Sequence, residues 1–445
     1  LFEGNIFQFD FLNDDLNGDK VPKALKDILN DPEKRKKLVI YINPPYGEPT
    51  NTRTISGTGE HRSGISASAM KSKYQEILEQ GAKELYILFL IRIYFEISGC
   101  IIANFSTIKF LRGVHYKEFR NKFLAKIKKL FIVRANTFEK VAKFPIGFFI
   151  WDTTLKEKFQ KIKADIILDD FNTTETKLIT VTPEKNIKDW LRKYNDKKTS
   201  PIAYLVRTGA DVQNNNVVFI TWTPSESVLK ASNASFITEN NLLINAIFFA
   251  VRKVLNVTWV NNKDEYLYPT NTWQNDTDFH NDCLIFTLFH TQNRISAEQG
   301  VNHWIPFTED EVDASQPFQS TFMTDFIEGK IKHPENNGTL LQIHKSFIPT
   351  EPLHFSQEAQ EVFNAGREIW RYYHQNAMGG GNVYNVNASL YNIKEFFRGR
   401  DEKGKMNNKS KDEHFNALEK TLSDKMKTLA KAIEPKVYEH GFLIK

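Results

Sequence analysis

The stretch Leu38-Val-Ile-Tyr-Ile-Asn-Pro-Pro-Tyr46 decides how this chain is read. Leu38 to Ile42 are apolar and largely β-branched, which predicts a fully buried strand of a parallel sheet. That strand must stop at Asn43, because Pro44 and Pro45 have no N–H to give to a ladder. Asn43, Pro44, Pro45 and Tyr46 therefore fall just past a strand's carboxyl end, where open α/β sheets bind ligands. Each proline fixes its own φ and biases the residue before it toward extended geometry. The Asn43 amide oxygen and the Pro44 carbonyl are then held in place, with an aromatic ring after them. Both oxygens accept hydrogen bonds. The group suits a planar base with an exocyclic amine: two acceptors draw the amine out of conjugation and expose its lone pair to an electrophile, and Tyr46 can stack on the ring.

The rest of the chain sets the bounds. Its 445 residues suffice for roughly two to four domains. The formal charge of +5 is only mildly basic and permits nucleic-acid binding without requiring it. Cys100 and Cys283 lie in apolar runs and read as core thiols of a reducing compartment, with no disulfide and no metal site. The longest apolar run, Leu85 to Ile97, contains Arg92 and Glu96 and is too short for a membrane span. These features predict a cytoplasmic protein with no membrane partner.

Gly4 to Leu12 reads as a short strand ending near Asp10, a carboxylate placed to accept from an amine or a ribose hydroxyl. Lys71 to Ile97 reads as one long helix, Cys100 to Phe105 as a buried strand, and Tyr116 to Lys129 as an amphipathic basic helix. Leu130 to Val133 and Phe144 to Trp151 complete a parallel sheet with an antiparallel hairpin at its edge. Beyond Thr154 short strand-like pieces follow. A polar loop, Arg207 to Asn216, offers Arg207, Gln213 and Asn214, side chains of the types that read base edges. Leu284 to Phe289 fits strand or helix equally. The last hundred residues read as helical, with a capping box at Ser410 to Glu413 and a helix end at Pro435.

Asn43-Pro44-Pro45-Tyr46 resembles the catalytic motif of N6-adenine DNA methyltransferases that use S-adenosylmethionine. The same tetrapeptide occurs in protein glutamine methyltransferases and in some RNA guanine-N2 methyltransferases. The large region appended after Thr154 favours DNA. The resemblance implies an α/β fold with a partial Rossmann-like methyltransferase sheet over 1–154. It implies a mixed α+β target-recognition region over 155–345 and a helical region over 346–445. It places cofactor contacts on Asp10 and Phe11 and packs Phe144 against a flipped adenine. It implies S-adenosylmethionine as cofactor, and duplex DNA with restriction or specificity subunits as partners, in a bacterial restriction–modification system. No glycine-rich turn between a strand and a helix precedes Asp10, so the chain is expected to be a piece begun part-way through its catalytic domain. The alternatives are a single-chain methyltransferase-plus-nuclease, an RNA or protein amine methyltransferase, and a non-catalytic DNA-recognition subunit.

Overall fold

A computed structural model describes residues 6–44, 68–137, 145–168, 173–181, 183, 185–331, 347–377 and 384–444. The chain forms two compact units, one of residues 1–184 with 258–263, the other of residues 185–257 with 264–444.

The first unit is built on a six-stranded mixed sheet. Its strands are β1 (Val39–Ile42), β2 (Ile101–Thr107), β3 (Ala125–Arg134), β4 (Pro145–Lys156), β5 (Lys161–Ile167) and β6 (Thr173–Thr180), in the spatial order β1-β2-β4-β3-β5-β6. β1 and β2 are parallel, with Ile42 opposite Asn104. β4 returns antiparallel between β2 and β3. The expected parallel pair and antiparallel hairpin are present, but the β3–β4 hairpin lies inside the sheet, between β2 and β5, and not at its edge, and the sheet does not end at Thr154. β5 joins β3 in parallel and β6 pairs with β5, so the unit runs some thirty residues further than the sequence boundary.

Three readings are corrected here. β1 is an edge strand: Val39 is 59% exposed and Tyr41 64%, while Ile40 and Ile42 are half-buried, so an apolar run disguised an alternating strand. The long helix is two, Ala69–Leu78 and Leu85–Glu96, separated by a 3-10 turn at Glu79–Lys83 in which Glu79 has φ +48°. The basic helix keeps only Lys117–Lys122, because the chain after it pairs with β4. Two register shifts in β3, between Ala125 and Lys126 and between Ile127 and Lys129, interrupt the alternation that would have marked it as a strand.

The Leu85–Glu96 helix is apolar all round because it is buried almost throughout. With β2, β4 and the flanking helices it forms the core around Leu88, Ile91, Ile102, Phe110, Phe149 and Trp151.

The second unit is mostly helical. A three-stranded sheet, β7 (Ala203–Val206), β8 (Phe219–Thr221) and β9 (Ala234–Ile237), is ordered β8-β7-β9. Its helices include Leu242–Val251, Thr277–Phe289, Gln357–Asn376 and Glu413–Glu439. The ambiguous run at Leu284 to Phe289 is therefore helix. One hydrophobic core joins β7 to the carboxyl-terminal helix, so no boundary falls near residue 345. Gly366 lies against the Phe289 ring, 2.1 Å from where a Cβ would stand, which lets two helices approach closely. Asp412, not Ser410, caps the last helix, and Pro435 lies inside it, because the stripe Leu429, Ile433, Val437 carries the packing past the missing N–H. No helix among the described residues is long and apolar enough to cross a membrane.

Candidate nucleotide-base site at the carboxyl end of β1

Asn43 follows Ile42 directly and is exposed; Pro44 is buried and anchors the chain as it leaves the sheet. Pro45, Tyr46 and Phe144 lie outside the described residues. Beside β1, an aromatic ladder crosses one face of the sheet. Phe105 of β2 is opposite Phe148 of β4, their ring centroids 4.7 Å apart. Phe148 stacks on Phe131 at 4.8 Å and reaches Tyr41 at 6.3 Å. Phe105 and Phe131 are half-buried, so the ladder is a partly open aromatic surface next to the strand that carries Asn43.

Beneath this end of the sheet sits a polar group that the sequence reading missed. Asn104 is fully buried in β2, accepts a hydrogen bond from the Trp151 indole at 3.0 Å and donates to Ser106 Oγ at 3.3 Å. At the strand's end Thr107 donates to the Tyr86 hydroxyl at 3.3 Å. Burial pushes the Tyr86 hydroxyl well above its ordinary pKa, so it stays a neutral phenol. The buried Glu84 carboxylate pairs with Lys109 and accepts from Tyr116 at 3.0 Å. The signal was present: one asparagine inside an otherwise apolar strand.

Asp10 and Phe11 are not at a strand end. Residues 6–10 form no strand, and Asp10 opens a turn. Its carboxylate accepts from the Leu12 N–H at 2.9 Å and the Asn13 amide at 2.7 Å. The Asn13 and Leu12 hydrogen bonds hold its pKa below the usual carboxylate value. Phe11 stacks on Phe89 at 5.0 Å and lies under the buried Arg92 guanidinium at 5.1 Å. Arg92 donates to the Asp14 carbonyl at 2.7 Å and to the Phe11 carbonyl, fixing the turn to the helix that holds Glu96.

The loop after β7 is framework. Arg207 is 3% exposed and donates to Ser235 Oγ at 3.2 Å; burial lowers its guanidinium to about 10. Asn214 packs on Gly209 and is tied to Asp211 Oδ1 at 2.8 Å. Gln213 alone of the three is exposed. From below, the buried Arg252 donates to Asn215 Oδ1 at 2.7 Å and to the Gly209 and Asp211 carbonyls.

One group of carboxylates and imidazole lies elsewhere in the second unit: ligand atoms of Asp276, Glu439 and His440 lie within 4.8 Å of one another. Asp276 Oδ2 already accepts from His440 at 3.0 Å and pairs with Lys436 at 2.9 Å. The lysine stands where a cation would, and the group ties the last helix to the start of the Thr277–Phe289 helix.

No family model matches the chain, and no curated protein matches it. Among solved structures it is similar to the ATP-dependent Type ISP restriction-modification enzyme LlaBIII bound to DNA, at 12% identity and a TM-score of 0.23. The likeness covers 50% of this chain and 17% of that one. It is too slight to carry a conclusion about fold or chemistry.

Proposed function

We propose that this chain takes part in methylation of adenine N6 in duplex DNA, as the modification part of a restriction–modification system. The observation that carries the reading is Asn43-Pro44 at the carboxyl end of a parallel strand, with Asn43 exposed beside an aromatic ladder. The target base leaves the stack, because its N6 cannot be reached inside a duplex. The Asn43 side-chain oxygen and the Pro44 carbonyl accept from the amine, which leaves the nitrogen lone pair free for attack. The protein supplies orientation and dipoles rather than a charged base. Tyr46 and Phe144 are assigned to stacking on the base by motif alone. Gln213, exposed in the loop after β7, is the residue assigned to reading a base edge.

S-adenosylmethionine would supply the methyl group. The described residues do not form a seat for it: Asp10 and Phe11 are bound into their own turn, and no glycine-rich strand-to-helix turn adjoins them. No residue is therefore assigned to the cofactor. A second reading is a DNA-recognition subunit that binds and transfers nothing.

The test gives the chain tritiated S-adenosylmethionine and unmethylated plasmid DNA, then digests the DNA to nucleosides. Label in N6-methyladenosine that is lost in Asn43→Ala supports the reading. Full transfer by Asn43→Ala would remove the role given to Asn43. Salt-sensitive DNA binding without label would establish the recognition subunit instead.

A further inference from the structure

At the opposite end of the same sheet lies a cleft of about 660 Å³, within the size range of small-molecule sites. It opens where the chain enters β1 and β2, between Pro32–Lys36, Ser98–Gly99, Asn121–Leu124 and the end of β4. The rise along β1 puts it on the order of 16 Å from Asn43, so a ligand held here is not the base that Asn43 meets. Its lining contains Arg35, Lys36, Lys122 and Lys156 and no carboxylate.

The nearby acids already have partners, some of them on the lining itself, as where Asp152 Oδ1 accepts from the Thr154 N–H at 3.0 Å. Glu33 pairs with Lys36 at 2.6 Å, Glu157 with Lys126 at 2.8 Å, and Glu118 accepts from Asn121 at 3.2 Å. Among the described residues, neither Lys122 nor Lys156 has an ion-pair partner, and both are exposed. Arg35 is held rigidly: it donates to the Ser98 carbonyl at 2.8 Å and to the Leu29 carbonyl. Phe95 is 45% exposed at the rim, although it is a large aromatic at the end of an otherwise buried helix. Tyr74 stacks against it at 5.8 Å and Tyr94 meets it at 5.5 Å. That packing leaves part of the ring open.

Two lysines without ion-pair partners beside a half-open ring are what a phosphate with an attached base requires. We propose that this cleft binds a nucleoside phosphate, with the phosphate on Lys122 and Lys156 and the base on Phe95. The ligand comes either as a free nucleotide or as an unpaired nucleotide of a single strand. The proposal is independent of the methylation reading and uses none of its residues.

The test titrates the full chain with fluorescein-labelled dT12 by anisotropy, and with ATP by calorimetry. The variants are Lys122→Glu/Lys156→Glu, its milder Ala/Ala counterpart, and Phe95→Ala. Thermal melts check that each is folded. The charge reversal should weaken at least one probe tenfold or more, Ala/Ala and Phe95→Ala severalfold. For dT12, the salt slope should also fall by about one to two in the Ala/Ala variant. An effect on ATP identifies a free-nucleotide site, and an effect on dT12 alone identifies a strand site. Unchanged affinity in folded variants, or no binding of either probe by the wild type at millimolar concentration, overturns the proposal.

Discussion

Polar residues follow two strands in this molecule, and they stand in different settings. After β1, Asn43 is exposed. After β7, Arg207 is buried, Asn214 is spent on Asp211, and Asn215 is held by Arg252 from within. The difference lies in the strand that each follows. β1 is an edge strand with a half-open face, whereas β7 is the middle of its sheet and its loop roofs an apolar core. A polar side chain over a core must be satisfied by its own framework, and once satisfied it has little left for a ligand.

The contrast breaks first at Asn43. Asn43→Ala should cost methyl transfer about a hundredfold or more, while its denaturation midpoint stays within the wild-type error. A large loss of stability would make Asn43 framework too. Next, Arg252→Met should cost about 3 kcal/mol, since it strands Asn215 Oδ1 and two carbonyls in the interior. An unchanged urea midpoint would show that the loop does not depend on it.

Acid should act on the second unit. Burial, with Lys253 and Lys394 adding to it, lowers His290 to about 3, and burial lowers His374 to about 4. Unfolded, both titrate near 6.5. Below that pH the unfolded chain takes up protons that the folded unit refuses. The stability these groups contribute is thus complete above about 6.5 and lost as pH falls toward the folded values, at up to about 1.4 kcal/mol per pH unit for each. Urea midpoints at pH 7.5, 6 and 5 should fall in step, and His290→Gln should flatten the slope. The smallest effect belongs to Gln213→Ala: stability within about 0.5 kcal/mol, and a loss of at most about tenfold in preference for a specific duplex over a scrambled one.

The α/β class and the existence of β2 and of the β3–β4 hairpin were legible, because runs such as Cys100 to Phe105 and Phe144 to Trp151 leave little choice of partner. What failed depended on tertiary context. Nothing local distinguishes a two-sided from a one-sided strand at Leu38 to Ile42. The break at Glu79 is set by packing of the two helices, not by a proline. Pro435 is overruled by Ile433 and Val437. At the site, Asn43 was legible because two prolines announce a stop. Residue type alone does not reveal the burial of Arg207, and Asn104 is a single amide in a run whose apolar residues dominate its reading.

β1 is four residues long and, among the described strands, is paired on one side only. Such a segment opens at lower free energy than the sheet as a whole. Asn43 thus hangs from an end of the sheet, which opens more readily than its centre. Its amides from Val39 to Ile42 should exchange with solvent faster than those of β2. Whatever chemistry it supports should vanish on gentle warming while the rest of the protein is still folded, and return on cooling.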